Sequence, residues 1–248
     1  MMAPRTTYRE ALMGLNREVA AMGSLAHDMV DKGMQAFLQG DAAVREEVAA
    51  MDREVYRQEQ EIEQHCFEII ALYQPVASDL RTVSSCLKVV TDLSRIGRYG
   101  RNIAELGGGL DHSVSRLFPL PLMAQRVISM VKDAIASFVK LDQGAALALF
   151  DRDDEVDALW ESTFRCSLCF MVERSQNISD GAYAMLAARY LERIADHACN
   201  IGERVVFIVS GTRMDHYARK RTPRLDFTEG PAQEPSTDGY YVTRLDEK

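Results

Sequence analysis

The chain has 248 residues, a formal charge of −8 and an apolar fraction of 47%. That is ample for a packed core in one or two domains. The acidic balance argues against a protein that wraps nucleic acid, which needs lysine and arginine against the phosphates. No basic start joins an apolar leader, and no segment reaches the roughly 18 unbroken apolar residues of a membrane span. A soluble, cytoplasmic chain is expected. Five cysteines, an odd number without a secretory leader, fit reduced thiols rather than a disulfide framework.

The opening residues turn amphipathic at once and lead to Gly40-Asp41, a helix stop followed by an N-cap. From Asp41 to Tyr73 there is no Gly or Pro. Apolar residues fall at Val44, Val48, Met51, Val55, Ile62, Cys66, Ile69 and Tyr73, the spacing of a long bundle helix. Gln74-Pro75 ends it, and Ser78 or Asp79 is expected to cap a third helix running to about Leu106. Gly107-Gly108-Gly109 and the prolines at 119 and 121 bound a connector. A fourth helix is expected from about Leu122 to Leu141, a fifth from the Asp142 cap to Glu173, and a sixth to about Ser210. No sheet is expected. Beyond Arg224, Pro, Gly, Ser, Thr and acids predominate, so residues 225–248 are expected to be a disordered tail. Arg213, Arg219, Lys220, Arg221 and Arg224 form a basic cluster ahead of it. It reads as a solvated linker, with a partner or lipid contact as the alternative.

The halves repeat. Phe37 and Asp41 match Phe138 and Asp142, and Asp52 and Val55 match Asp153 and Val156, each at an offset of 101. Arg95-Ile96 matches Arg193-Ile194, and Asn102-Ile103 matches Asn200-Ile201, each at an offset of 98. The fold class is therefore all-α: two repeated three-helix bundles, residues 8–110 and 120–212, with six long helices.

Candidate chemistry lies in the second repeat. Asp153 and Asp157 stand four apart in the fifth helix, and Glu192 and Asp196 four apart in the sixth. Like charges at that spacing destabilise a helix by roughly 0.2–0.5 kcal/mol, so two such pairs want an explanation. The short loop near residue 176 places both pairs at similar levels of an antiparallel hairpin. Four carboxylates there suit a hard cation or iron. Ion pairing with Arg189 and Arg193 explains the same acids without a metal. His197 reads as a partly exposed helix residue, and Cys166 and Cys169, a CxxC in mid-helix, as packing residues. No nucleophile elbow, phosphate-binding glycine loop or HExxH is present, so no catalytic or cofactor-binding residue is assigned and no enzyme is expected.

Gln74-Pro75-Val76-Ala77-Ser78-Asp79-Leu80-Arg81, with Lys88 and Arg95-Ile96-Gly97 downstream, resembles the signature of the PhoU family. So does Leu191-Glu192-Arg193-Ile194-Ala195-Asp196-His197, and the likeness covers roughly residues 8–212. It implies a regulator of phosphate uptake and phosphate-starvation signalling, an adaptor between a phosphate ABC transporter ATPase and a sensor histidine kinase. Membership further implies a homo-oligomer, a dimer, that meets the membrane only through those partners. It also implies metal binding: iron or another divalent or trivalent metal cluster at Asp153, Asp157, Glu192 and Asp196. The first repeat departs from the pattern, because Ser94 and Arg98 stand where acids are expected and Tyr56 follows Asp52. Arg98 is expected to put a cation where the first metal would sit. A metal-storage or metal-responsive bundle is the alternative function, and a ferritin-like di-metal enzyme a weaker one, since no Glu-x-x-His pairs occur.

Overall fold

A computed structural model describes residues 5–109, 118–214 and 242–243. The helices are α1 (Arg5–Gln39), α2 (Ala42–Tyr73), α3 (Ala77–Leu106), α4 (Leu120–Lys140), α5 (Gln143–Glu173) and α6 (Ile178–Ser210). The predicted six-helix, all-α architecture is the one observed. Short 3-10 turns occupy Gly107–Gly109 and Ser175–Asn177.

The helix boundaries follow from local chemistry. Gly40 adopts a φ of +70° to end α1, and the Asp41 carboxylate accepts from the amides of Ala43 and Val44 to open α2. The second repeat solves the same turn differently. Leu141 takes a φ of +53°, a conformation that costs a non-glycine residue roughly 1–2 kcal/mol, before the Asp142 carboxylate accepts from Ala145 N at 3.0 Å. Two expected boundaries are corrected. The N-cap of α3 is Val76, with no side-chain cap, so Ser78 and Asp79 lie inside its first turn. There Asp79 complements the helix dipole and stands beside Tyr8 of α1, whose hydroxyl is pushed up to about 12 by burial and by that carboxylate. The fourth helix begins at Leu120, because Pro121 fits the first turn, where an amide proton is dispensable.

In the first repeat α1, α2 and α3 pack mutually, and in the second α4, α5 and α6 do the same. The repeats join where α3 lies along α6 and α1 along α4. Three contacts give the direction of the α3–α6 seam: Arg81 donates to the Ile208 carbonyl, Asp92 meets His197, and Tyr99 stacks on Tyr190. Each step forward in α3 matches an equal step back in α6, so the two central helices are antiparallel. Tyr99 and His197 are themselves repeat equivalents, as are Asp92 and Tyr190, so the seam has approximate twofold character. Its core is aliphatic, with Val90, Leu93, Ile96, Leu191, Ile194 and Ile201 buried.

One departure from an all-helical chain is small. Arg213–Met214 (β1) pairs antiparallel with Val242–Thr243 (β2), a ladder of two residues per strand that engages part of the segment expected to lack order. The rest of 225–248 lies outside the described residues. So does the basic cluster apart from Arg213, whose guanidinium sits 5.7 Å over the Phe207 ring.

Candidate functional site

The two acid pairs sit on α5 and α6, which pack directly against each other. Asp153 is fully buried, Asp157 and Glu192 are buried, and Asp196 is half-buried. This is not the exposed flank that surface ion pairing requires. Burying carboxylates costs several kcal/mol each unless charge or hydrogen bonds meet them. For Glu192 one such group is Arg189, whose Nη1 donates to Oε1 at 2.6 Å while its guanidinium lies 5.8 Å from the Trp160 ring. Arg193 is exposed. Among the described residues no group of three His, Cys, Asp or Glu side chains is placed to hold a metal ion.

The first repeat shows what the same framework does with an internal cation. Asp52, the equivalent of Asp153, accepts from Arg101 Nη1 at 2.8 Å, and Arg101 Nε donates to Glu105 at 2.8 Å. By the offset of 98, Arg101 corresponds to Cys199, which is buried and donates to the Leu149 carbonyl at 3.8 Å. The cation that answers the first-repeat acid is therefore Arg101. Arg98, expected in that role, points outward and is exposed, as is Tyr56. Ser94 is buried.

His197 also departs from expectation. It is buried, with Nδ1 2.8 Å from Asp92 Oδ1, and the Tyr99 ring stacks on it at 5.8 Å. A carboxylate only accepts, so Nδ1 carries the proton. Asn200 Nδ2 donates to the same oxygen at 3.2 Å. The residue is thus part of the inter-repeat seam. Its partner comes from 105 residues away, which no local pattern in α6 reveals.

The mid-helix CxxC is corrected as well: Cys166 and Cys169 are exposed rather than packed. The packed thiols are Cys66, Cys86 and Cys199, and the first two face each other across α2 and α3. Their mutual hydrogen bond, then burial, pushes the Cys86 thiol well up. No helix among the described residues is long and apolar enough to cross a membrane.

With this geometry in place, likeness to known proteins is informative. The family model described as "PhoU domain" matches residues 19–107 and again 120–205. A phosphate-specific transport system accessory protein PhoU homolog of Deinococcus radiodurans is 36% identical over 201 residues, covering 80% of this chain and 94% of its own length. The homolog of the same name from Rhizobium meliloti is 30% identical over 213 residues, covering 84% of this chain and 89% of its own. The crystal structure of PhoU from Pseudomonas aeruginosa superposes with a TM-score of 0.77 at 30% identity, covering 83% of this chain and all of that one. The PhoU structure from Streptococcus pneumoniae, at 24% identity and the same TM-score, shares the fold. Two matched repeats, in a chain that spans most of its relatives' length, make this protein a member of the PhoU family.

Proposed function

We propose that this chain is a non-enzymatic regulator of phosphate uptake. It restrains phosphate-starvation signalling by standing, on the cytoplasmic side, between a phosphate ABC transporter ATPase and a sensor histidine kinase. The observation that carries this reading is the pair of PhoU repeats, together with relatives named as accessory proteins of the phosphate-specific transport system along most of their length. The architecture suits an adaptor: two similar helical bundles joined back to front offer outer helix faces to two different partners. Affinity purification of the tagged chain from phosphate-replete cells tests it. The transporter ATPase or the kinase should co-purify, and recovery of neither counts against the reading. Sedimentation of the purified chain tests the dimer.

A second reading rests on the burial of Asp153, Asp157 and Glu192 in one helix pair. The donor chemistry suits a hard divalent or trivalent cation such as iron. The side-chain placement is less ready, because Glu192 is held by Arg189 and no three donors converge among the described residues. We propose that Asp153, Asp157, Glu192 and Asp196 hold a metal only after Glu192 exchanges Arg189 for the ion. Elemental analysis of protein purified without chelator is the test. Metal that disappears when Glu192 and Asp196 become alanine supports the site, and equal content in both proteins removes it.

A further inference from the structure

The charge of this molecule is not spread evenly. Helix α2 carries eight Asp and Glu against three Arg, a net of −5 (3 − 8), in a chain whose total is −8. It is also a peripheral helix, packed on α1 and α3. Between α1 and α2 runs an open groove formed by two adjoining cavities of about 200 and 260 Å³. Leu15, Ile62 and Ile69 form its apolar floor, and Glu18, Glu61 and Glu68 stand along it. The cavities meet at Glu18 and His65, whose side chains join across the groove at 2.7 Å. The basic residue in the lining, Arg57, is already engaged by Glu54 and Glu61. From Arg57 to Tyr73 the groove follows α2 for about 24 Å, at 1.5 Å per residue.

Two further features distinguish this space from the matching region of the second repeat. A Cβ placed on Gly14, in the interior of α1, would meet nothing within 4 Å. Glycine is a poor choice inside a helix unless something must come close, and no element among the described residues does. The wall containing Ala11, Gly14, Leu15 and Glu18 exists because α1 is 35 residues long, whereas α4 has 21 and begins at the equivalent of Val19. In the second repeat Phe118, from the connector, is buried edge-on against Phe170, the equivalent of Ile69. A connector side chain thus stands against Phe170, whereas Ile69 lines a cavity.

We propose that the α1–α2 groove is a docking site for a basic amphipathic helix of a partner protein, about 16 residues long. Its apolar stripe lies over Leu15, Ile62, Ile69 and exposed Leu72, its backbone passes close to Gly14, and its Lys or Arg side chains meet Glu18, Glu61 and Glu68. This is the helix-in-groove mode of recognition, with charge complementarity selecting the partner. The inference deepens the adaptor reading, on which it rests for its biological setting, by giving the chemistry of one partner.

The test uses the full chain and a fluorescent 18-residue Leu/Lys peptide patterned as an amphipathic helix, with a scrambled peptide of the same composition as control. The patterned peptide should bind at least tenfold more tightly than the scrambled one. Gly14→Trp fills the groove from a half-buried helix position where a Cβ meets nothing within 4 Å, and should weaken binding at least tenfold, with the helical signal and melting temperature retained. The pair Glu61→Lys and Glu68→Lys should do the same. Equal affinity for both peptides, or binding untouched by Gly14→Trp, overturns the proposal. So does a wild-type dimer that Gly14→Trp dissociates without affecting the peptide, since the occupant would then be a second copy. If Gly14→Trp unfolds the chain, Gly14→Leu and the charge reversals carry the test. Peptide binding can fail while the tagged chain still captures its partners, so the groove and the adaptor reading fall separately.

Discussion

At equivalent positions the two repeats differ in burial and in the neighbouring residue. Asp52 is met by Arg101, a cation supplied by the chain, whereas Asp153 is buried on a helix pair where Cys199 replaces that arginine. The crossing of first and third helices differs in the same way. In the first repeat Gly33 and Gly100 meet so closely that a Cβ on Gly33 would lie 2.2 Å from the Gly100 carbonyl oxygen. Their equivalents in the second repeat, Ala134 and Ala198, each carry a Cβ and are fully buried. The first repeat is thus self-neutralised at its acid, tightly crossed and open at its α1–α2 groove. The second sets Phe118 against the equivalent of Ile69 and keeps its acids inside. Duplication supplied one framework, and divergence gave the copies different surfaces and different interiors.

The crossing gives the largest expected effect. Gly100→Ala places a methyl against the backbone of Met29 and Val30 and should destabilise the chain by about 3 kcal/mol, the upper range for overpacking. Ala198→Gly at the matching site should cost about 1 kcal/mol, from helix propensity and lost packing. Denaturant melts of both variants compare the repeats directly, and equal costs would break the contrast. At the seam, His197→Leu removes the shorter of two inter-repeat hydrogen bonds to Asp92, which is mostly buried, leaves that from Asn200, and should cost about 2 kcal/mol. Asp92→Asn with His197 intact should cost less, because an amide oxygen still accepts from Nδ1. Arg101→Met should cost about 1 kcal/mol, since that guanidinium is partly exposed and screened although Asp52 is mostly buried. Introducing the first-repeat solution into the second, as Cys199→Arg, should abolish any metal content there.

The smallest effects are pH effects confined to the first repeat. Glu18 raises the His65 pKa, so the folded state holds the proton more firmly than the unfolded chain. That contribution is complete below the ordinary histidine value and is lost as pH rises through the raised one. His65 is half-exposed, so the difference is small, and Glu18→Gln should remove it. Tyr8 acts at the alkaline end: stability falls as pH climbs from about 10, where the unfolded tyrosine ionises, to about 12, where the folded one does. Thermal melts of Tyr8→Phe across that range should show a flatter dependence than the native chain.

Much of this fold was legible in the residues. Apolar spacing, the Asp41 and Asp142 caps and the 101 and 98 offsets were enough for six helices in two repeats. The level of the two acid pairs followed from the short loop at residue 176. What escaped was whatever one repeat does to the other. His197 looked solvent-facing because its partner, Asp92, belongs to the other half. A CxxC in mid-helix rather than at a helix start points to packing, yet Cys166 and Cys169 are exposed on α5. Arg98 is expected to supply the first repeat's cation because it occupies the family's acidic position, yet it is Arg101 that does. One helical turn makes the difference between a side chain that points outward and one that reaches Asp52. The groove had a sequence signal that went unread: a glycine in mid-helix, with a first helix longer than its repeat equivalent.

A transcriptional reporter of phosphate starvation, in a strain lacking this gene and grown in ample phosphate, measures the proposed role most directly. An adaptor that restrains the response leaves the reporter on in the deletion and off again when the chain is restored. A reporter that stays off in the deletion contradicts it.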